Sequence, residues 1–123
     1  MEIEIDGRTY RLEKLGTRDA LATLKYLQED VKFFDGGLAA LMVCDHEALE
    51  RRLFREHAFL LNEQGDWVPL GKELVANHFN GRVEAYFAVL VKQIKNNYDS
   101  FLEGGWATSP EEDETDTEPE LQR

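Results

Sequence analysis

The residues that could do chemistry in this chain are three histidines, one cysteine and a cluster of arginines. His46, His57 and His78 are spread along the sequence, and Cys44 lies two positions before His46. A zinc site needs three or four converging ligands, and a helix would direct Cys44 and His46 to different faces. A reactive thiolate needs a polar, electropositive setting, whereas Cys44 follows the apolar run ALMV. The pattern therefore predicts no metal site, no bound cofactor and no catalytic cysteine.

Carboxylates and glycine-rich loops give no stronger sign of catalysis. Acidic pairs such as Asp45 and Glu47 arise by chance in a chain with 25 Asp and Glu residues. The sequence has neither a glycine-rich phosphate loop nor a serine in a nucleophile elbow. We therefore expect a protein that is not an enzyme.

The net charge argues against a nucleic-acid ligand. The chain of 123 residues has 25 Asp and Glu against 14 Lys and Arg, which gives a net charge of -11. A protein that binds a phosphate backbone needs a stripe of cations. Acids and bases are instead interleaved in the most arginine-rich stretch, at Glu47, Glu50, Arg51, Arg52, Arg55 and Glu56. This pattern predicts a solvated helix face with local ion pairs.

The expected location follows from the cysteine content and the first residues. One cysteine cannot form an internal disulfide, which fits a reducing compartment. The opening MEIEIDGR is charged and alternating, unlike a signal peptide. No apolar run approaches the ~20 residues that span a bilayer. These features predict a cytoplasmic protein without membrane contact.

Two short strand pairs are expected. Residues 2–13 alternate apolar and polar around Asp6-Gly7, a pair that favours a two-residue hairpin turn. The run AFLL is too short to distinguish a strand from the end of a helix. Pro69 restricts WVPL to an edge strand or an extended loop. A second small hairpin would pair 59–61 with 67–68.

Two helical blocks are expected before these segments. A helix over 18–34 would have Thr17 as its N-cap and would end at Asp35-Gly36-Gly37. Its predicted apolar face consists of Leu21, Leu24, Leu27, Val31 and Phe34. The second block would begin at Leu38 and be capped again at Asp45. Its predicted inward residues are Leu41 and Met42, and the continuation after Asp45 carries the apolar residues Ala48, Leu49, Leu53 and Phe54.

A short helix over 72–79 and a long helix over 82–103 complete the expected fold. The long helix has the clearest periodicity, with apolar residues at Val83, Phe87, Leu90, Ile94, Tyr98 and Phe101. An isolated hairpin is marginal in water, so the hairpin over 2–13 should pack on the helices over 18–34 and 82–103. The expected fold class is α+β and mainly α, an N-terminal β-hairpin on a small helical bundle.

Residues 107–123 differ in composition from the rest of the chain. They hold seven acids and one base, so they supply -6 of the net charge and leave -5 on residues 1–106. With two prolines and almost no aliphatic side chains, such a segment cannot offset its ordering entropy by burial. We expect one domain over 1–106 and a disordered acidic tail over 107–123.

The order of the elements and several short motifs resemble a known family. The chain begins with the hairpin EIDGRTYRLEKL, and WVPL, NHFNGR, NNYDSF and a Gly-rich stop follow in that order. This order resembles the tail assembly chaperones of long-tailed bacteriophages and prophages, small acidic proteins encoded next to the tape measure protein. The matching positions, within residues 1–105, are Trp67, Pro69, Leu70, His78, Phe79, Gly81, Asn97, Tyr98 and Phe101.

The resemblance implies a function in assembly and not in catalysis. Many copies of such a chaperone coat the long helical tape measure protein and help tail-tube subunits polymerise around it. In many such systems a longer frameshifted form recruits the tube protein. The resemblance further implies self-association, action in the host cytoplasm and absence from the mature virion. The alternative function is an acidic decoy that mimics DNA and inhibits a DNA-binding enzyme, but over half of the net charge lies in 107–123.

Two candidate surfaces could contact a partner. The first is the WVPL segment, in which Trp67 either belongs to an exposed recognition loop or covers the core beneath the last helix. The second consists of apolar positions outside the main helical faces. Together the candidate binding residues are Trp67, Val68, Pro69, Leu70, Phe54, Phe59 and Val91.

Overall fold

A four-stranded antiparallel sheet and five helices make up residues 1–103, the part of the chain that the computed structural model describes. The strands are β1 (Glu2–Ile5), β2 (Arg8–Leu12), β3 (Ala58–Leu61) and β4 (Trp67–Pro69). The helices are α1 (Thr17–Tyr26), α2 (Phe33–Val43), α3 (His46–Leu53), α4 (Lys72–His78) and α5 (Val83–Glu103). A π-helical turn over Leu27–Val31 follows α1 directly. The predicted α+β, mainly α fold is confirmed. The predicted tail over 107–123 lies outside the described residues.

The N-terminal hairpin forms where the turn chemistry predicts it. Asp6 and Gly7 both have positive φ, 55° and 76°, as a tight hairpin turn requires. The two strands pair with Ile3 opposite Tyr10. The prediction of a hairpin over 2–13 is confirmed.

β3 joins this hairpin to a second one, so that both belong to one sheet. Leu60 lies opposite Tyr10 of β2 on one side and opposite Val68 of β4 on the other. The sheet order is therefore β1-β2-β3-β4. The second hairpin is confirmed, and AFLL is a strand. The pairing of β2 with β3 was not predicted, because three helices separate them and distant strands leave no local sequence signal.

The helices pack on one face of the sheet. Side chains of β2 and β3 that point to this face are fully or almost fully buried: Tyr10, Leu12, Ala58 and Leu60. They meet buried residues of the helices, among them Leu27, Leu41, Leu49, Leu53, Phe54, Leu90 and Ile94. A run of aromatic contacts crosses this core, with Tyr10 stacked on Phe79 at 6.1 Å and Phe79 edge-on to Tyr86 at 5.6 Å.

Gln93 of α5 holds three segments together at the end of the sheet. Its side chain is fully buried, and Nε2 donates to the carbonyl oxygens of Glu13 at 3.0 Å and Leu53 at 2.9 Å. The carbonyl oxygen of His57 lies 3.3 Å from the same nitrogen. Buried carbonyl groups need such donors. Gln93 therefore fixes the hairpin and the end of α3 to α5.

The first helix begins and ends at different residues from those predicted. The N-cap is Gly16, which is extended (φ -63°, ψ 160°), and Thr17 cannot cap because it is already helical. Lys32 ends the π-helical turn in the left-handed region (φ 61°, ψ 39°). The predicted stop at 35–37 is therefore wrong: these residues lie inside α2, which kinks at Gly37 (φ 57°, ψ -136°).

Some predicted inward residues are exposed. Leu21, Met42 and Val83 all face solvent. α1 instead buries Thr23, and the π-helical turn that follows buries Leu27, which leaves Leu21 on another side of the helix. The predicted cap at Asp45 is confirmed, because Oδ1 of Asp45 accepts from the N–H of Ala48 at 3.2 Å.

Candidate protein-binding surfaces

The sheet face opposite to the helices carries an apolar surface, which we call the sheet patch. It comprises Phe59, Leu61, Trp67 and Pro69, because Phe59 lies opposite Pro69 and Leu61 opposite Trp67, and paired residues share a face. Pro69 is exposed, and the other three side chains are half-buried. Within residues 1–103, none of the four packs against the buried core. Trp67 therefore lies on the open face of the sheet and not beneath α5.

Arg11 orients the Trp67 ring within the sheet patch. Its guanidinium carbon lies 4.5 Å from the centre of the indole ring, which is cation–π geometry. The same side chain lies 3.6 Å from the Glu2 carboxylate on β1. The aromatic ring is thus held in place before any partner binds, and charged groups border the patch. This arrangement suits a contact surface with an apolar centre and a polar rim.

The free edge of β4 is poorly suited to pairing with another strand. Two hydrogen bonds show which residue pairs of β3 and β4 are hydrogen-bonded. The N–H of Leu70 donates to the Ala58 carbonyl oxygen, and the N–H of Asn62 donates to the Asp66 carbonyl oxygen, both at 2.9 Å. Val68 is therefore bonded to β3, while the backbone groups of Trp67 and Pro69 point outward. Pro69 has no N–H, and its carbonyl oxygen accepts from the N–H of Gly71 at 2.9 Å. A partner would accordingly use the side chains of the sheet patch.

Phe54 and Leu70 are not surface residues. They are 0% and 1% exposed, respectively, and both belong to the core. The expectation that Phe54 lies outside the main helical faces is wrong. Its ring packs edge-on against Tyr86 of α5, with centroids 6.1 Å apart.

The remaining predicted binding residues are also separate from the sheet patch. Val68 shares the inner face with Leu60, and its side chain is half-buried at the sheet edge. Val91 is half-buried on α5 and packs against the core. The structure therefore brings Phe59, Trp67 and Pro69 together and places the other predicted residues elsewhere.

A second apolar surface, which the sequence analysis missed, lies on α2. Leu38, Met42 and Val43 are 52%, 59% and 85% exposed, and Ala39 is exposed beside them. Ala39, Met42 and Val43 follow Leu38 by one, four and five residues, which places all four side chains on one side of the helix. We call this surface the α2 patch. Contiguous exposed apolar surface is uncommon on soluble proteins, so the α2 patch is a candidate contact surface.

The sequence does contain a signal for the α2 patch. The run GLAALMV has no polar side chain, and a helix that is apolar all round is either buried or covered by a partner. Spacing alone assigned both Leu41 and Met42 to the core. In the structure the left-handed Lys32 resets the direction of the chain before α2, and Leu41 is the one buried residue of this helix. Met42 is left on the solvent side.

His78 lies in a polar cluster between the hairpin and the α4–α5 junction. Its Nε2 is 2.8 Å from the Tyr10 hydroxyl and 3.4 Å from Nη1 of Arg82. The Arg82 guanidinium in turn lies 3.6 Å from the Asp6 carboxylate in the hairpin turn. Burial, followed by Arg82 and Arg8, lowers the pKa of His78, so the neutral ring can accept from Tyr10. The NHFNGR motif thus joins α4 and α5 to the hairpin.

Cys44 has the surroundings of a structural thiol. It is half-buried, its Sγ donates to the Leu41 carbonyl oxygen at 3.3 Å, and burial raises the pKa of the thiol. Among residues 1–103, no three or more His, Cys, Asp or Glu side chains are grouped to hold a metal ion. Over the same range, no helix combines the length and apolar character needed to cross a membrane.

Comparison of the chain with protein-family models, curated proteins and solved structures found no significant match.

Proposed function

We propose that this protein is a non-enzymatic tail assembly chaperone that binds a helical segment of a phage tape measure protein in the host cytoplasm. The observation that carries the proposal is the α2 patch, which presents Leu38, Met42 and Val43 to solvent. The order of the sequence motifs supports the choice of client. Several copies would coat one client and associate along it.

The chemistry of the α2 patch suits an amphipathic helix as its ligand. Leu38 and Met42 are one helical turn apart, so they can pack between the apolar side chains of a client that recur every three or four residues. Methionine is flexible and adapts to differently shaped neighbours. A protein that binds many related segments of one long client benefits from such a contact residue.

The sheet patch supplies a second contact region with a different character. Trp67 is a large, oriented aromatic anchor, whereas the α2 patch is aliphatic. Aromatic anchors of this kind dominate the affinity of many interfaces. The net charge of -11 would keep an otherwise aggregation-prone client soluble in the complex.

The proposal is tested by exchanging exposed side chains on α2 and on α1. The double variant Met42→Gln with Val43→Gln removes apolar surface from the α2 patch. Leu21→Gln is the matched control, because Leu21 is 62% exposed but belongs to neither patch. Each variant is co-expressed with fragments of a phage tape measure protein, and the amount of soluble complex and its affinity are measured.

We expect the double variant to bind the client at least about tenfold more weakly, since each buried aliphatic side chain contributes roughly 1.5–3 kcal/mol. The Leu21 variant should bind like the natural protein, and all three should melt alike because the changed residues are exposed. Equal binding by the double variant would exclude the α2 patch as the client site. DNA-competitive binding to a nuclease, without affinity for any tape measure fragment, would replace the proposal by the decoy function.

A further inference from the structure

Two arginines of α3 and one of the turn that follows it line an open cavity beside α1. The cavity has a volume of about 250 Å³. Its charged and titratable lining consists of Arg51, Arg52, Arg55, His57, Asp19 and Glu56. Guanidinium groups bind carboxylates through paired hydrogen bonds. The cavity therefore has the donors for an anionic ligand.

Glu47 and Glu50 were expected to pair with these arginines, and both line a neighbouring pocket together with Arg51 and Arg55, but their close contacts are to other residues. The Glu47 carboxylate lies 3.1 Å from Nζ of Lys72, and the Glu50 carboxylate accepts from the Tyr86 hydroxyl at 2.6 Å. Within the described part of the chain, Arg51, Arg52 and Arg55 form no ion pair with Asp19, Glu56 or another acid. The predicted local ion pairs are thus wrong for these residues. The cavity retains guanidinium groups that are free to bind carboxylates.

The end of α5 lies near this cavity. The Tyr98 hydroxyl donates to the carbonyl oxygen of Ala20, the neighbour of Asp19 on α1, at 2.8 Å. From Tyr98 the helix rises only about 7 Å further to Glu103. The chain from Glu103 to Glu111 can then span up to about 26 Å when extended. Acidic residues beyond Glu103 are therefore within reach of the cavity.

We propose that the acidic segment 111–120 of the same chain binds in this arginine cavity. Its carboxylates would accept hydrogen bonds from Arg51 and Arg55, which are exposed, while Arg52 stacks on Tyr26 at 4.6 Å. The segment has seven acids and no base, so its charge complements the cavity. Asp19 and Glu56 weaken the attraction. Attachment through one chain compensates for this, because it holds the ligand at an effective concentration near millimolar.

A peptide competition tests this proposal with the full chain. The probe is a synthetic peptide of residues 107–123. It is titrated into the natural chain and into a neutral-tail chain in which all seven acids of the segment are replaced by their amides: Glu111→Gln, Glu112→Gln, Asp113→Asn, Glu114→Gln, Asp116→Asn, Glu118→Gln and Glu120→Gln. We expect the peptide to bind the natural chain at least about tenfold more weakly, because the chain's own segment already occupies the cavity.

Two further variants locate the site. Arg51→Gln with Arg55→Gln, introduced into the neutral-tail chain, should abolish peptide binding, whereas Lys25→Gln, which removes an exposed cation of α1, should not. Circular dichroism checks that each variant is folded.

Several results would overturn the proposal. Absence of peptide binding to the neutral-tail chain would exclude the site, and binding that survives the double arginine change would exclude the cavity. Equal affinity for both chains would show that the segment does not occupy the cavity. Competition that strengthens with protein concentration would assign the occupant to a neighbouring copy.

Discussion

Buried polar side chains determine how the parts of this protein are joined. Gln93 donates to backbone carbonyls of distant segments, and the half-buried His78 is hydrogen-bonded to Tyr10 of the hairpin. Burial, reinforced by the Glu50 carboxylate, raises the pKa of Tyr86, so its hydroxyl stays protonated and donates to Glu50. Such pairs cannot be predicted from sequence, because the partners are far apart along the chain. In addition, a polar residue in a helical segment is ordinarily assigned to the solvent-exposed face of the helix.

Gln93→Leu should destabilise the protein strongly although leucine fits an apolar core. The change leaves the buried carbonyl group of Leu53 and the partly buried carbonyl group of Glu13 without this donor. An unsatisfied buried acceptor costs about 1–3 kcal/mol, so we expect a loss of about 3 kcal/mol in the free energy of unfolding, measured in urea. Lys95→Leu, at an exposed position of α5, should change it by less than about 0.5 kcal/mol. Similar effects of the two changes would contradict the assigned role of Gln93.

His78 should make the fold less stable in mild acid. Its pKa is lower in the folded protein than the ordinary value near 6.5. The unfolded chain therefore binds more protons, and the contribution of His78 to stability is lost as the pH falls below about 6.5. His78→Gln keeps an acceptor for Tyr10 but cannot titrate. The loss of unfolding free energy between pH 7 and pH 5 should be smaller in this variant than in the natural protein or in His57→Gln.

At the scale of elements, turn chemistry and periodicity predict most of the helices and strands, whereas the predicted Thr17 cap and the predicted stop at 35–37 are wrong and contacts between distant segments leave no local signal. The Asp6-Gly7 turn and the periodicity of α5 are properties of short or continuous segments, so both elements follow from the sequence. The union of two hairpins into one sheet depends on contacts between distant segments. The orientation of α2 depends on the left-handed Lys32, a conformation that lysine rarely adopts. The sheet patch was predicted in part. Phe59 and Trp67 were named as binding residues from the sequence, but that they share one face follows from the pairing of β3 with β4.

Measuring both affinity and stability of the Trp67→Ala variant shows whether the Trp67 side chain contributes to binding or to the core. The Trp67 ring lies in the sheet patch and outside the core, so its removal should change the melting temperature little. If the sheet patch contacts the client, affinity should fall about thirtyfold, which corresponds to about 2 kcal/mol for an aromatic anchor. Phe54→Ala is the contrasting variant, because this buried ring should cost about 3–5 kcal/mol of stability. A large loss of stability in the Trp67 variant would instead assign the ring to the core.

At the scale of the whole molecule, the buried side chains and most of the net negative charge lie in different parts of the sequence. The buried side chains of the described residues lie between Tyr10 and Tyr98. The acidic composition of 107–123 supplies -6 of the net charge of -11. A segment so rich in acids has little apolar surface to bury. We therefore expect folding to depend on residues 1–106, whereas 107–123 supplies just over half of the net charge.

Shortening the chain to residues 1–106 should lower the melting temperature by no more than a few degrees. The truncation removes none of the core side chains between Tyr10 and Tyr98. Ion pairs of the segment with Arg51 and Arg55 would be exposed, and each would contribute only about 0.2–1 kcal/mol. Their loss is partly offset, because the net charge falls in magnitude from -11 to -5 and self-repulsion decreases. Thermal unfolding by circular dichroism at low and high salt measures both effects, and loss of cooperative unfolding would show that 107–123 is part of the fold.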